Sequence, residues 1–226
     1  MAKTLLIQRS RIVAGAIEKV AALKELMKDY VNDNQILVYC GATKPYNPAL
    51  DESESDDEGE RQIVMISKML GLELGMAVRH FTSNESAKER EEIKEQFAKT
   101  NPYQALIAIK CLDEGVNIPS IKTAFILASS TNPKEYIQRR GRVLRKYPGK
   151  DYAEIYDFVT LPRPLNEVDA YEDNKSEISL ARREIARMKE FGYISQNPQE
   201  ADKLIKEITV AYGLDMIKNQ EVDYEH

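Results

Sequence analysis

Residues 105–145 read ALIAIKCLDEGVNIPSIKTAFILASSTNPKEYIQRRGRVLR, and the order of their parts decides the fold. Gln104 to Ile109, QALIAI, is a short apolar run that ends in a polar turn carrying Gly115. Thr123 to Ala128, TAFILA, repeats the run, and apolar runs of this length rich in branched residues read as buried strands. Asn132-Pro133 then supplies a helix N-cap followed by proline at the first helical position, which predicts a helix through Arg140. Strand, turn, strand and helix in that order predict a parallel sheet with helical crossovers.

Outward from this stretch the same alternation continues. Residues 11–30 place Ile12, Ala16, Val20, Leu23 and Met27 at steps of three and four, an amphipathic helix. Gln35 to Cys40 is an apolar strand closed by Gly41, residues 61–71 read as a helix, and Met76 to Phe81 as a strand. Ser86-Ala-Lys-Glu89 is a capping box, followed by Ile93 and Phe97 at helical spacing. Ala153 to Val159 gives a fifth strand. Beyond Pro162 and Pro164 the pattern turns helical, over 167–191 and 198–212, with Asn197-Pro198 between. The expectation is an α/β domain over 1–162 and a C-terminal helical extension over 163–226. Residues 44–60, with two prolines and an acidic block, are expected to form a mobile surface loop.

Composition narrows the function classes. The 226 residues are 42% hydrophobic and 31% charged, which excludes collagen-like and wholly disordered chains. No apolar run reaches membrane-spanning length and no apolar signal core stands at the N-terminus, so neither a membrane span nor a secretory peptide is expected. Cys40 and Cys111 have no second thiol or histidine at ligand spacing, which argues against a disulfide framework or metal site and for a cytoplasmic protein. His80, near a strand end, reads as a structural group rather than a base. The net charge of −5 is uneven: residues 51–60, DESESDDEGE, hold seven carboxylates, whereas Lys134 to Lys150 holds seven Lys or Arg against Glu135 alone. A basic cluster of that density suits phosphate.

Within that cluster, Gln138, Arg142 and Arg145 fall at i, i+4 and i+7 of a helix opened at Pro133, which would put them on one face. Two guanidiniums a turn apart, with Gly141 allowing close approach, make a donor fork for a polyphosphate. Such arginines stabilise charge that builds on a transferring phosphoryl group. The turn Lys110 to Pro119 follows a strand, and ligands of open α/β sheets bind at that carboxyl rim. The arginine pair is accordingly expected on the rim side of the sheet, and the functional reading built on it depends on that placement.

Together these segments resemble the second RecA-like domain of superfamily 2 helicases and translocases. ILVYC at 36–40 is similar to helicase motif IV, ALIAIKCLDEGVNIP at 105–119 to motif V, and EYIQRRGRVLR at 135–145 to motif VI. The GRVLR ending is most similar to DEAH-like DNA translocases, the group of type III restriction subunits and XPB-type helicases. The resemblance implies that Arg142 and Arg145 are arginine fingers for ATP, that Gln138 joins their network, and that Gly115 and Asn117 lie near the ribose. It makes Thr43, Lys44, Thr82, Ser83 and Lys110 candidates for contact with a nucleic-acid backbone, DNA ahead of RNA. Two departures stand out: Asn117 replaces the usual aspartate, and Ile109 stands where threonine is frequent.

No GxxxxGK[ST] loop and no DExH tetrad after an apolar strand occurs in the 226 residues. ATP with magnesium is therefore expected to be held mainly by a first, N-terminal RecA-like domain outside this sequence. With the first helix starting so near Met1, the chain reads as one part of a two-domain motor, inactive alone. A rival reading keeps the RecA-like fold as a non-catalytic module that binds nucleic acid or protein. An α/β nucleotide enzyme of another class lacks the glycine-rich phosphate turn it would need.

Overall fold

The computed structural model describes residues 17–40, 58–82, 84–100, 102–109, 117–128, 132–168 and 175–214. The chain divides into two compact units, Met1–Phe158 and Val159–His226.

The first unit is built on a five-stranded parallel sheet in the order β2-β3-β1-β4-β5: β1 Ile36–Cys40, β2 Val78–Phe81, β3 Ala105–Ile109, β4 Thr123–Ile126 and β5 Glu154–Asp157. All five strands fall where the apolar runs predict them. β1 lies at the centre, with Ile36 in register with Ala105 on one side and Thr123 on the other. Every residue of β1 and β4 is buried, the pattern of strands covered on both faces. The half-buried β5 and β2 are the edges, and their sequences mix polar and apolar residues accordingly.

Among the described residues four α-helices accompany these strands: α1 Ile17–Met27, α2 Glu58–Lys68, α3 Ala87–Ala98 and α4 Pro133–Val143. Leu23 and Met27 of α1 and Ile63 and Ile66 of α2 join Ile36, Val38, Ile107 and Phe125 of the sheet in one core. Each such side chain, fully buried, contributes about 1.5–3 kcal/mol. α3 starts with the predicted capping box: the Glu89 amide donates to Ser86 Oγ at 3.3 Å, and the Ser86 amide to Glu89 Oε2 at 2.8 Å. α4 starts at Asn132, whose Oδ1 accepts from the Lys134 amide at 3.1 Å, and it runs three residues past the expected end.

Two expectations about the acidic stretch separate here. Residues 44–57 lie outside the described residues. Residues 58–60, expected in the loop, instead open α2.

The second unit contains a 3-10 turn, Leu165–Glu167, then α5 Lys175–Gly192 and α6 Pro198–Ala211. The helix expected from 167 does not form there, because Val168 is extended. Ala181, Ile185, Met188, Ile205, Ile208 and Tyr212 form the core of the pair, and Val159 and Leu161 pack against it. That packing draws residues 159–162 into this unit rather than the first. Within α5, the buried Arg187 donates twice to the buried Glu184 at 2.6 and 2.7 Å, and Glu184 also accepts from the Thr160 amide at 3.0 Å. Among the described residues no helix is long and apolar enough to cross a membrane.

Candidate nucleotide-facing site on the helix after β4

The four arginines at 139–145 divide into two pairs. Tyr136, Arg139, Arg140 and Val143 are the buried residues of α4, so the first two arginines face inward. Arg139 anchors the helix to the sheet. Its Nη1 donates to the Ala128 carbonyl at 3.1 Å, its guanidinium lies 4.8 Å from the centre of the Tyr39 ring, and Nη2 stands 3.4 Å from Glu135. A guanidinium over an aromatic face and against a carbonyl is a compensated burial. Gln138 is exposed and Arg142 half-buried on the other side of α4, as their four-residue spacing predicts.

Arg145 lies beyond the helix expected to carry it. α4 ends at Val143, and the Leu144 amide closes it on the Arg140 carbonyl. Arg145 therefore sits past the C-cap, exposed, and the seven-residue spacing from Gln138 no longer sets its direction. A tight turn follows just downstream. Pro148 and Gly149, the latter at φ +73, are the residues a type II turn requires, and the Lys150 amide closes that turn on the Tyr147 carbonyl at 3.1 Å.

The turn returns the Lys150 side chain to the end of α4. Its Nζ donates to the carbonyls of Val143 at 2.5 Å, Arg145 at 3.0 Å and Pro119 at 3.2 Å. Burial pulls this ammonium down to about 8. Three carbonyls, two of them at the negative end of a helix, act against that pull. The ammonium thus ties the last turn of α4 to the segment two residues beyond Asn117.

This arrangement corrects the expected location of the arginine pair. α4 begins beyond the carboxyl end of β4, where Arg139 meets Ala128, and it ends beside Pro119, which precedes β4. Arg142 and Arg145 are therefore at the end of α4 away from the carboxyl rim. The rim rule describes a ligand held by the strand-end loops of one sheet. A ligand shared with a second body is held by whichever surface that body meets. Around Gly141 the surface is open: among the described residues nothing lies within 4 Å of where a Cβ would stand.

Of the other candidates, Asn117 is described and exposed. Thr82 is described but occupied: its amide and hydroxyl both donate to Glu85 Oε2, at 2.6 and 2.9 Å. The protons expected for a phosphate are spent on a carboxylate. Thr43, Lys44, Ser83, Lys110 and Gly115 lie outside the described residues. In sequence, residues 43 and 44, 83, and 110 follow the carboxyl ends of β1, β2 and β3, three neighbours in the sheet. His80 is a structural partner, its Nε2 2.5 Å from Ser67 Oγ, with burial holding its pKa below the ordinary value. Among the described residues no three His, Cys, Asp or Glu side chains gather as metal ligands.

Sequence reasoning passed over Arg139, Tyr39 and Lys150. The signals were present: Tyr136 and Val143 mark the inner face of α4, with Arg139 between them, and Pro148-Gly149 marks the turn that returns Lys150.

The helicase conserved C-terminal domain family matches residues 18–147, more than half the chain. The chain belongs to this family. The matched residues 18–147 take in β1 to β4 and the helices from Glu18 to Val143, so the parallel sheet described above is that of a helicase C-terminal domain. Among curated relatives, the DNA 3'-5' translocase XPB2 of Sulfurisphaera tokodaii is 27% identical over 135 residues, covering 60% of this chain and 25% of that protein. The chain thus spans about a quarter of the relative's length. Similar solved structures include the Pyrococcus furiosus Hef helicase domain, at 23% identity and TM-score 0.40 over 63% of this chain and 26% of that one. Another is the C-terminal domain of the DEAD-box protein Dbp5, at 18% identity and TM-score 0.49 over 86% and 93%.

Proposed function

We propose that this helicase C-terminal domain is the second motor lobe of an ATP-dependent DNA helicase or translocase. It works against an N-terminal RecA-like lobe that carries the phosphate loop and the magnesium ligands. Arg142 and Arg145 donate to the γ-phosphate oxygens across the cleft and stabilise the negative charge that develops there. Gln138, one turn before Arg142, joins that network, and Gly115 and Asn117 face the ribose. The donor set fits a polyphosphate: guanidiniums for the oxygens, an amide for a hydroxyl, and open space at Gly141 for the opposing lobe.

One observation carries this reading above the others. The end of α4 bearing Arg142 and Arg145 and the segment following Asn117 are held together by Lys150 on an accessible surface, so two motifs far apart in sequence converge. Grip on the nucleic-acid backbone falls to Thr43, Lys44, Ser83 and Lys110, next to the carboxyl ends of adjacent strands. Thr82 contributes to the shape of that edge through Glu85 rather than by direct contact. DNA is the proposed track because the GRVLR ending resembles the DNA translocases and a DNA 3'-5' translocase is among the relatives.

The test is ATP turnover of the complete protein, both lobes present, with DNA. Arg142→Ala and Arg145→Ala should each slow turnover by about 10³-fold, the scale of an arginine finger. Wild-type turnover in both variants would overturn the assignment.

A further inference from the structure

The ammonium of Lys150 bonds three main-chain carbonyls from two segments and no carboxylate among the described residues. Two of those carbonyls belong to Val143 and Arg145, on either side of the point where α4 ends. The third, on Pro119, belongs to the segment that leads into β4. Past its C-cap, Arg145 has no helical hydrogen bond to fix its backbone. Its exposed side chain leaves a main chain whose carbonyl is held by Lys150.

We propose that Lys150 is the positioning residue for Arg145, fixing the direction from which its guanidinium leaves the domain and the distance between it and the Asn117 segment. This inference rests on the arginine-finger reading above. Three features of the structure bear on this role. The lysine reaches its partners through a Pro-Gly turn that reverses the chain, with Gly149 at φ +73. Its acceptors are the main-chain carbonyls of Val143, Arg145 and Pro119, so it holds the backbone from which the Arg145 side chain leaves. A cation at the negative end of a helix also adds an attraction that a neutral donor would lack.

The experiment uses the complete protein and labelled ATP in single-turnover mode, which resolves slow variants. Lys150→Met keeps the aliphatic stem and removes the cation, whereas Lys150→Arg keeps a cation with several donors. Lys150→Met is expected to slow the hydrolysis step by about 10- to 100-fold, the scale of an ångström-sized misplacement, with the KM for ATP little changed. Lys150→Arg is expected to keep most of the rate. Combined with Arg145→Ala, Lys150→Met should add no further loss, because the group it positions is gone.

A wild-type rate in Lys150→Met, equal losses in Lys150→Met and Lys150→Arg, or losses that multiply in the double variant would each overturn the proposal. So would failure of Lys150→Met to give a cooperative melting transition, since the lysine would then hold the whole domain. An unchanged rate in Arg145→Ala alone would instead remove Arg145 from the arginine-finger reading, and that arm is scored without reference to Lys150.

Discussion

His80 illustrates what one side chain's surroundings decide. It sits half-buried on the edge strand β2 against Ser67, and desolvation holds its pKa below 6.5. The unfolded chain therefore binds the proton more readily than the folded one. Stability from this group is complete above about pH 6.5 and is lost as pH falls through the lower folded value. Glu25 and Glu89, held below their ordinary 4.5 chiefly by hydrogen bonds from Lys28 and the Ser86 amide, titrate in a lower window. Urea unfolding at pH 7.5 and pH 5 should show a falling midpoint in the wild type and a smaller fall in His80→Gln. An equal fall in both would mean that the imidazole does not contribute. That His80 is structural was legible from its place on a strand; that Ser67 would be its partner was not, because the two come together only when α2 packs on the sheet.

At the scale of the element, α4 carries most of what can be tested. Gly141 lies in its last turn, exposed, where glycine costs about 1 kcal/mol relative to alanine. Among the described residues nothing would meet an added Cβ, so this chain itself does not require the glycine. Gly141→Ala should therefore raise the domain's stability by about 0.5–1 kcal/mol while slowing ATP turnover of the complete protein, where the opposing lobe approaches. Thermal melting and turnover rate together check this, and a variant both more stable and fully active would remove the close-approach role. The start of α4 was plain in Asn132-Pro133, and its inner face could be read from Tyr136 and Val143. Its end was harder. Nothing in QRRGRVLR stops a helix; the Leu144 amide still makes a helical bond to the Arg140 carbonyl, and the carbonyls of Val143 and Arg145 at the end are taken by a lysine six residues past Leu144. Local propensity marks starts through capping side chains, whereas this end is met by a side chain from beyond the helix.

For the molecule as a whole, sequence and structure divide the information differently. Five strands and their parallel sense could be read from apolar runs alternating with helices, since burial on both faces leaves that signature. The sheet order could not, because nothing local in ILVYC or ALIAI states which neighbour each takes. The proposed division of labour gives a whole-molecule prediction. Lacking any phosphate loop or DExH tetrad, this chain alone should hydrolyse no ATP in the presence of DNA, and should do so only when joined to the N-terminal lobe. A phosphate-release assay decides it, and steady turnover by the chain alone would contradict the two-lobe reading.

The eleven residues of α4 span about 16 Å, from the rim near Ala128 to the turn near Pro119. Inserting or deleting one residue between Arg139 and Arg142 would rotate everything beyond it by about 100° while Arg139 stayed under Tyr39. For this rod, length and phase are inherited traits as binding as the identity of any side chain it carries.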